Sequence, residues 1–326
     1  MNAGLPDARF GQRSWQPMNE ERGCIVRVLI TGGSGFIGRV VVADLLRNGH
    51  EVLGLARSRQ AAEALEELGA QTVSGSIEDL GVLSWAAGQV DAVVHLAFRH
   101  DVALAGNFGH AVASDLAAID ALARGLPPAG ALTIAGAALG LQAENGSPAT
   151  ETSRPNALGL KRQPPTDAIL DLAHRGIRSS VVRLAPTVHG VGDAMFMPTM
   201  IRIAREKAFS GYPGDGTARW SAVHVEDAAN LFRLAVEKAP PGSILHAVAE
   251  EGVRVRDIAD AIGRRLGVPT RPVVDDEVEN HFGFLGTLLA TDGPVSSART
   301  REITGWQPHR NGLLEELNRD HYFVHN

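Results

Sequence analysis

Ile25-Val26-Arg27-Val28-Leu29-Ile30-Thr31-Gly32-Gly33-Ser34-Gly35-Phe36-Ile37-Gly38 is the stretch that decides the fold. Residues 25–30 are apolar except for one arginine and rich in β-branched side chains, as a buried parallel strand requires. Residues 31–38 then make a glycine turn, and a helical pattern runs from Arg39 through Val40, Val41, Ala43, Leu45 and Leu46. Asn48-Gly49 ends that helix, and residues 51–56, EVLGLA, supply a second strand. Strand, glycine turn, helix and strand within about 30 residues form a βαβ unit. The expected class is α/β, a Rossmann doubly wound parallel sheet with a smaller C-terminal α/β lobe.

The turn has a chemical purpose in such a unit. Gly32 lets the chain swing sharply from strand to helix, and Gly35 leaves the backbone amides open to a pyrophosphate. Gly38 lets the helix approach the sheet closely, and Phe36 and Ile37, between the last two glycines, are expected to contact the cofactor. A nicotinamide dinucleotide is the ligand this arrangement predicts. The end of the second strand distinguishes its two forms. An NAD site usually carries a carboxylate there for the ribose 2′-hydroxyl. Here Ala56 is followed by Arg57, Ser58 and Arg59, and a guanidinium can grip a 2′-phosphate that a carboxylate would repel. The expectation is NADP (NADPH), held by Arg57 and Ser58, with Arg39 as a second phosphate ligand and Arg59 left to solvate the loop.

Composition narrows the remaining classes. A chain of 326 residues that is 44% apolar can bury one or two lobes. A formal charge of -6 argues against nucleic acid or an anionic membrane as partner. No apolar run approaches the ~20 residues of a membrane span. The single cysteine, Cys24, leaves no internal disulfide and fits a reducing cytoplasm, and no CxxC or HExxH pattern offers a metal site. GxSxG is absent as well, which weakens a hydrolase reading. Residues 1–23 lack a signal-peptide core and read as a poorly ordered leader, with Met18 a potential natural start.

These features resemble the extended short-chain dehydrogenase/reductase family (NAD-dependent epimerase/dehydratase-like), whose turn reads TGxxGxxG. The resemblance runs along almost the whole chain. Gly75-Ser76-Ile77-Glu78-Asp79 is similar to the segment bordering the adenine, with Ser76 where an aspartate usually stands. Residues 91–98, ending Leu96-Ala97-Phe98, resemble the strand beside the cofactor ribose and phosphates. Residues 183–190, with Pro186 and Val188, resemble the loop near the nicotinamide. Residues 222–229 resemble the helix start after the substrate loop, and Gly305-Trp306-Gln307-Pro308 the closing signature. The resemblance implies a Rossmann domain over 24–190 with a return segment at 225–249, and a substrate lobe from 191–224 and 250–326. It leaves the oligomeric state open, a homodimer being common among similar proteins.

The departure from the family is equally specific. Its reductases and epimerases use a Ser/Thr, a tyrosine and a lysine, the last two spaced YxxxK. Here Ala135 and Gly136 stand where the hydroxyl belongs, and of two tyrosines, Tyr212 and Tyr322, neither has a lysine four residues on. Residues 155–162, PNALGLKR, offer either Ala157 with Lys161 or Leu158 with Arg162, and Gln163-Pro164-Pro165 is expected to break the helix before Thr166. Substitute groups must come from loops at the carboxyl ends of the strands. The candidates are His100, oriented by Asp101, as general acid; Thr133, on the same strand face as the lost hydroxyl; Lys161; and Tyr212, which with Trp220 would wall a small organic substrate. His189 reads as structural, and His224 as the anchor of the helix that follows it.

The expected activity is an NADP-dependent oxidoreductase acting on a small carbonyl or alcohol through a non-standard proton donor. Two alternatives stay open: a catalytically silent NADP(H)-binding sensor, and a lyase or dehydratase on the same fold.

Overall fold

A computed structural model of the chain describes residues 25–143, 146–274 and 276–324. The leader expected at 1–23 and Cys24 lie outside the described residues. Six strands follow in alternation with helices: β1 (Arg27–Thr31), α1 (Phe36–Arg47), β2 (Glu51–Ala56), α2 (Arg59–Glu66), β3 (Gln71–Ser74), α3 (Leu80–Ala87), β4 (Ala92–His95), α4 (His100–Leu104), α5 (Phe108–Gly125), β5 (Ala131–Ala137), α6 (Gln163–His174) and β6 (Arg178–Leu184). Next come β7 (Thr187–His189), α7 (Phe196–Lys207), β8 (Ser210–Pro213), β9 (Arg219–His224), α8 (Val225–Lys238), β10 (Ser243–Ala247), β11 (Glu250–Arg254), α9 (Val255–Leu266) and β12 (Thr270–Val273). Short helices at 278–282, 285–289, 298–304 and 313–316 complete the path.

Seven strands pair in parallel in the order β10-β6-β5-β4-β1-β2-β3. The chain winds outward from β1 in one direction through β2 and β3, then returns to β1's other side with β4. The crevice above the β1–β4 pair is therefore the topological switch point, where such sheets bind ligands. Strand alternation covers the sheet on both faces: Val28 and Ile30 join the core under α1 and α8, whereas Leu29 joins the core on the opposite face.

A second core unites Met197, Ile201, Trp220, Ile258, Ile262, Phe282, Leu285 and Leu317, drawn from α7, β9, α9, the short helices at 278–282 and 285–289, and Leu317 just after the one at 313–316. α8, β10 and the helix at 298–304 instead rejoin the main sheet, β10 beside β6 and α8 against α1. Trp306, fully buried, ties the C-terminal segment to α8 by donating its indole N–H to the Asp227 carbonyl at 2.9 Å.

One expectation is corrected here. Gln163-Pro164-Pro165 does not break a helix; it begins α6, with prolines in the first turn. There the missing N–H groups would have had no intrahelical partner and the fixed φ is already helical. A single 3-10 turn, Gly159–Arg162, leads into it.

Candidate functional site

The glycine turn has the geometry its spacing predicts. Gly32 has φ +70°, and a Cβ on it would lie 2.8 Å from the Ala97 amide nitrogen. A Cβ on Gly38 would come within 2.1 Å of the Gly32 carbonyl oxygen. At Gly35 the same atom would meet only that oxygen, at 3.3 Å, so the turn is open on this side. Gly35 caps α1 without a side chain, and the first turn holds no acidic residue. Phe36 and Ile37 thus begin a 12-residue helix whose leading amides are available to an anion. An open turn, free amides and no competing carboxylate fit a dinucleotide pyrophosphate.

The end of β2 separates its arginines as their neighbours dictate. Arg59 pairs with Glu63 at 2.7 Å, one helical turn away. Arg57 is exposed and has no ion-pair or hydrogen-bond partner among the described residues. Ser58 spends its hydroxyl capping α2, accepting from the Ala61 amide at 3.2 Å. In the loop after β3 Asp79 has a bracing role: its Oδ2 accepts from the Ser76 amide at 2.6 Å and hydroxyl at 2.9 Å, and these bonds lower its pKa. Ile77 is buried beneath that loop.

The carboxyl end of β4 carries the densest chemistry. Leu96 donates its amide to the Thr31 carbonyl, and Ala97 donates to the Thr31 hydroxyl, so the strand end is stitched to the glycine turn. Phe98 lies beyond it, with the Arg162 guanidinium 3.8 Å from its ring centroid and the His100 ring edge-on at 5.1 Å. His100 is exposed as a residue, yet its ring is partly covered. That burial, then the charge of Arg162, lowers its pKa, with Asp101 and Asp115 pulling the other way. The imidazole is therefore neutral at neutral pH.

Asp101 does not orient His100, as the sequence suggested. Both its oxygens are within hydrogen-bond reach of Arg99, which also pairs with Glu78. Arg99 is two residues away on an exposed segment, where the bidentate pair forms without desolvating either charge.

The remaining candidates are dispersed. Thr133 is wholly buried mid-sheet, its hydroxyl 2.9 Å from that of Ser180 on β6, so it does not open on the crevice. Lys161 is exposed, while Leu158 packs on the second core and Arg162 turns inward to Phe98. Of the two possible registers, the inward one thus pairs Leu158 with Arg162. Tyr212 is buried in the second core with Gly216 packed against its ring and the Arg256 guanidinium 5.6 Å from its centroid. A side chain at Gly136 would meet Val181 at 2.8 Å and Arg183 at 3.2 Å, so the lost hydroxyl has no room in the present packing.

Pro186 lies between β6 and β7 and Val188 is the middle of β7, which leads into a loop whose Gly192 faces Phe36 at the start of α1. Within it Asp193 accepts from the Met195 amide at 2.9 Å and the Tyr322 hydroxyl at 3.0 Å, and burial raises its carboxyl to about 6. His189 is fully buried with neither ring nitrogen partnered; burial, then His224, lowers its pKa to about 3. His224 caps α8, its Nδ1 accepting from the Glu226 amide at 3.2 Å.

One arrangement escaped the sequence reading. His95, the last residue of β4, stands opposite Thr31 in the parallel register. Its Nδ1 is 2.6 Å from the Thr31 hydroxyl and its Nε2 2.9 Å from Asp115 on α5, all three side chains buried. A carboxylate can only accept, so Nε2 carries the proton and Nδ1 accepts from Thr31. The signal was present in the sequence: an Asp on the otherwise apolar face Ala111, Val112, Ala118, Ile119 needs a buried partner.

The fold and this turn together define a Rossmann-type chain of the extended short-chain dehydrogenase/reductase class. More narrowly, the chain belongs to the NAD dependent epimerase/dehydratase family, whose model matches residues 28–119. An uncharacterized protein of Schizosaccharomyces pombe is 41% identical over 298 residues, 91% of this chain and 100% of that one. One of Saccharomyces cerevisiae is 38% identical, covering 90% and 98% respectively. A 4-hydroxy-2-methyl-3-oxo-4-farnesyl-3,4-dihydroquinoline-1-oxide ketoreductase of Stigmatella aurantiaca is 26% identical over 74% of each chain. Among solved structures, the dTDP-glucose 4,6-dehydratase DesIV of Streptomyces venezuelae, with NAD and TYD bound, superposes with a TM-score of 0.72 at 19% identity, over 90% of this chain and 96% of its own. Among the described residues no helix is long and apolar enough to cross a membrane, and no group of three or more His, Cys, Asp or Glu could hold a metal ion.

Proposed function

We propose that the chain is an NADP-dependent oxidoreductase that interconverts a small carbonyl compound and its alcohol, with His100 moving the proton. The observation that carries the cofactor choice is Arg57, an unpartnered guanidinium at the end of β2, next to an Arg59 already neutralised by Glu63. The open turn at Gly35 supports a pyrophosphate there, and membership of a family that includes a ketoreductase relative supports the redox class. Leu96, Ala97, Pro186 and Val188 would border the nicotinamide half, and Ser76 and Ile77 the adenine. A bound nicotinamide supplies or accepts the hydride. A small-molecule partner in a reducing cytoplasm goes with this reading.

His100 has the properties of the missing proton carrier. It lies at the carboxyl end of β4, and its lowered pKa makes the neutral ring a base for alcohol oxidation at neutral pH. Reduction, which needs the protonated ring, would quicken as pH falls. Stopped-flow absorbance of the NADPH-loaded protein against small aldehydes and ketones tests this. His100→Gln should slow turnover roughly a hundredfold while leaving NADPH affinity intact. Unchanged turnover removes His100 from the chemistry. Tight NADPH binding with no turnover of any carbonyl or alcohol would favour the silent sensor, a reading that Ala135 and Gly136 also support.

A further inference from the structure

Arg162 has no part in the cofactor turn or in the proton transfer assigned to His100. It ends the 3-10 turn before α6 and is mostly withdrawn from solvent. Burial lowers its pKa, offset only in part by the field of Asp115. No carboxylate lies within 4 Å of it and it donates no hydrogen bond among the described residues. Asp115, the carboxylate whose field it feels, is already engaged by His95. A guanidinium with five unused donors in such a place is costly unless something arrives to meet it.

Its surroundings say what would. The plane of Phe98 holds the guanidinium at 3.8 Å from the ring centroid, so the fork is fixed rather than free to seek water. His100 stands on the same ring, a second donor within the same cluster. The other nearby cation, Arg99, is cancelled by Asp101 and Glu78. Arg162, unlike Arg99, therefore keeps its donors free of any ion pair or hydrogen bond among the described residues. A planar, pre-oriented fork matches a carboxylate in bidentate fashion, which a neutral carbonyl or diol does not.

We infer that Arg162, braced on Phe98, is the specificity-determining residue that binds an oxyanion of the substrate, so that the substrate class is oxo or hydroxy acids. This rests on the oxidoreductase reading only for the word substrate; the anion site itself is independent of it. The same oxyanion chemistry could instead come from the dinucleotide pyrophosphate, and the test separates the two sources.

Isothermal titration would use pyruvate, acetoacetate and 3-oxooctanoate, each beside its methyl ester, with the protein alone and with NADP+ present. At least one acid should bind better than its ester. Arg162→Met should weaken that acid roughly tenfold to a hundredfold, the range for a lost charge-assisted pair. Arg162→Lys should retain part of the affinity, Arg162→Met should not lower the melting temperature of the ligand-free protein, and neither variant should shift NADP+ affinity appreciably. Equal binding of acid and ester, no binding of any acid, or wild-type acid affinity in Arg162→Met would overturn the proposal. So would a variant that loses NADP+ and not the acid, since the anion would then be the cofactor's. If wild type binds the acid but not NADP+, and Arg162→Met loses the acid, the anion site stands and the oxidoreductase reading falls.

Discussion

Nε2 of His95 lies 2.9 Å from Oδ1 of Asp115, and Nδ1 of the same ring lies 2.6 Å from the Thr31 hydroxyl. The imidazole thus joins α5 to the last residue before the glycine turn, through the interior of the sheet. Thr31 in turn accepts from the Ala97 amide at 3.3 Å, which fixes the separation of the turn from the β4 loop. The strip of backbone expected to border a cofactor is held from below by polar bonds, not by apolar packing alone.

Removing the ring should therefore be costly. His95→Leu leaves the Asp115 carboxylate buried and unpaired, and should lower unfolding free energy by about 3 kcal/mol or more, read from urea unfolding. A loss below about 1 kcal/mol would mean that the chain of bonds is incidental.

Two glycines of the turn should respond in opposite ways. Gly38→Ala puts a methyl 2.1 Å from the Gly32 oxygen and 2.7 Å from Gly33 Cα, so the helix must move away from the turn and stability must fall. Gly35→Ala meets only one atom at 3.3 Å, with φ -76° already suitable for alanine. The melting temperature should hold, while NADPH binding is lost because the methyl occupies the phosphate's approach. Loss of fold in both, or of binding in neither, would contradict this account.

Asp193 predicts a pH signature. Burial raises its carboxyl from 3.8 to about 6, so between those values the native state binds more protons than the unfolded chain. Stability from this group is greatest in acid and is lost as pH rises toward 6, by up to roughly 3 kcal/mol. His189, lowered to about 3, imposes the opposite slope over an overlapping range, so the raw curve hides both. The difference between wild type and Asp193→Asn isolates the carboxyl. The variant should gain on wild type from pH 4 to 7 and keep that gain above it. A flat difference curve would show that Asp193 titrates normally.

Much of the fold is legible locally, because it rests on short-range periodicity. The second strand, expected at 51–56, is found at Glu51–Ala56. Pro164 and Pro165 misled because a proline pair reads alike whether it ends one helix or starts the next; only the preceding turn decides. At the candidate site the glycine spacing speaks for itself, whereas the side chains that converge there do not. His95 meets a residue 64 positions earlier and one 20 positions later. Arg162 reaches Phe98 across β5 and the whole loop that follows. Such pairings depend on sheet order, which no local pattern encodes. Asp101 was assigned the wrong partner for a different, local reason: the Arg99 guanidinium, two residues before it, engages both carboxylate oxygens.

The claim on which the rest depends is the recognition of a 2′-phosphate by Arg57. Tryptophan-to-nicotinamide energy transfer, titrated with NADPH and separately with NADH, measures it in wild type and in Arg57→Ala. Wild type should prefer NADPH by about tenfold or more, and the variant should lose most of that preference while its NADH affinity stays unchanged. Equal wild-type affinities, or a variant that weakens both nucleotides alike, would contradict it.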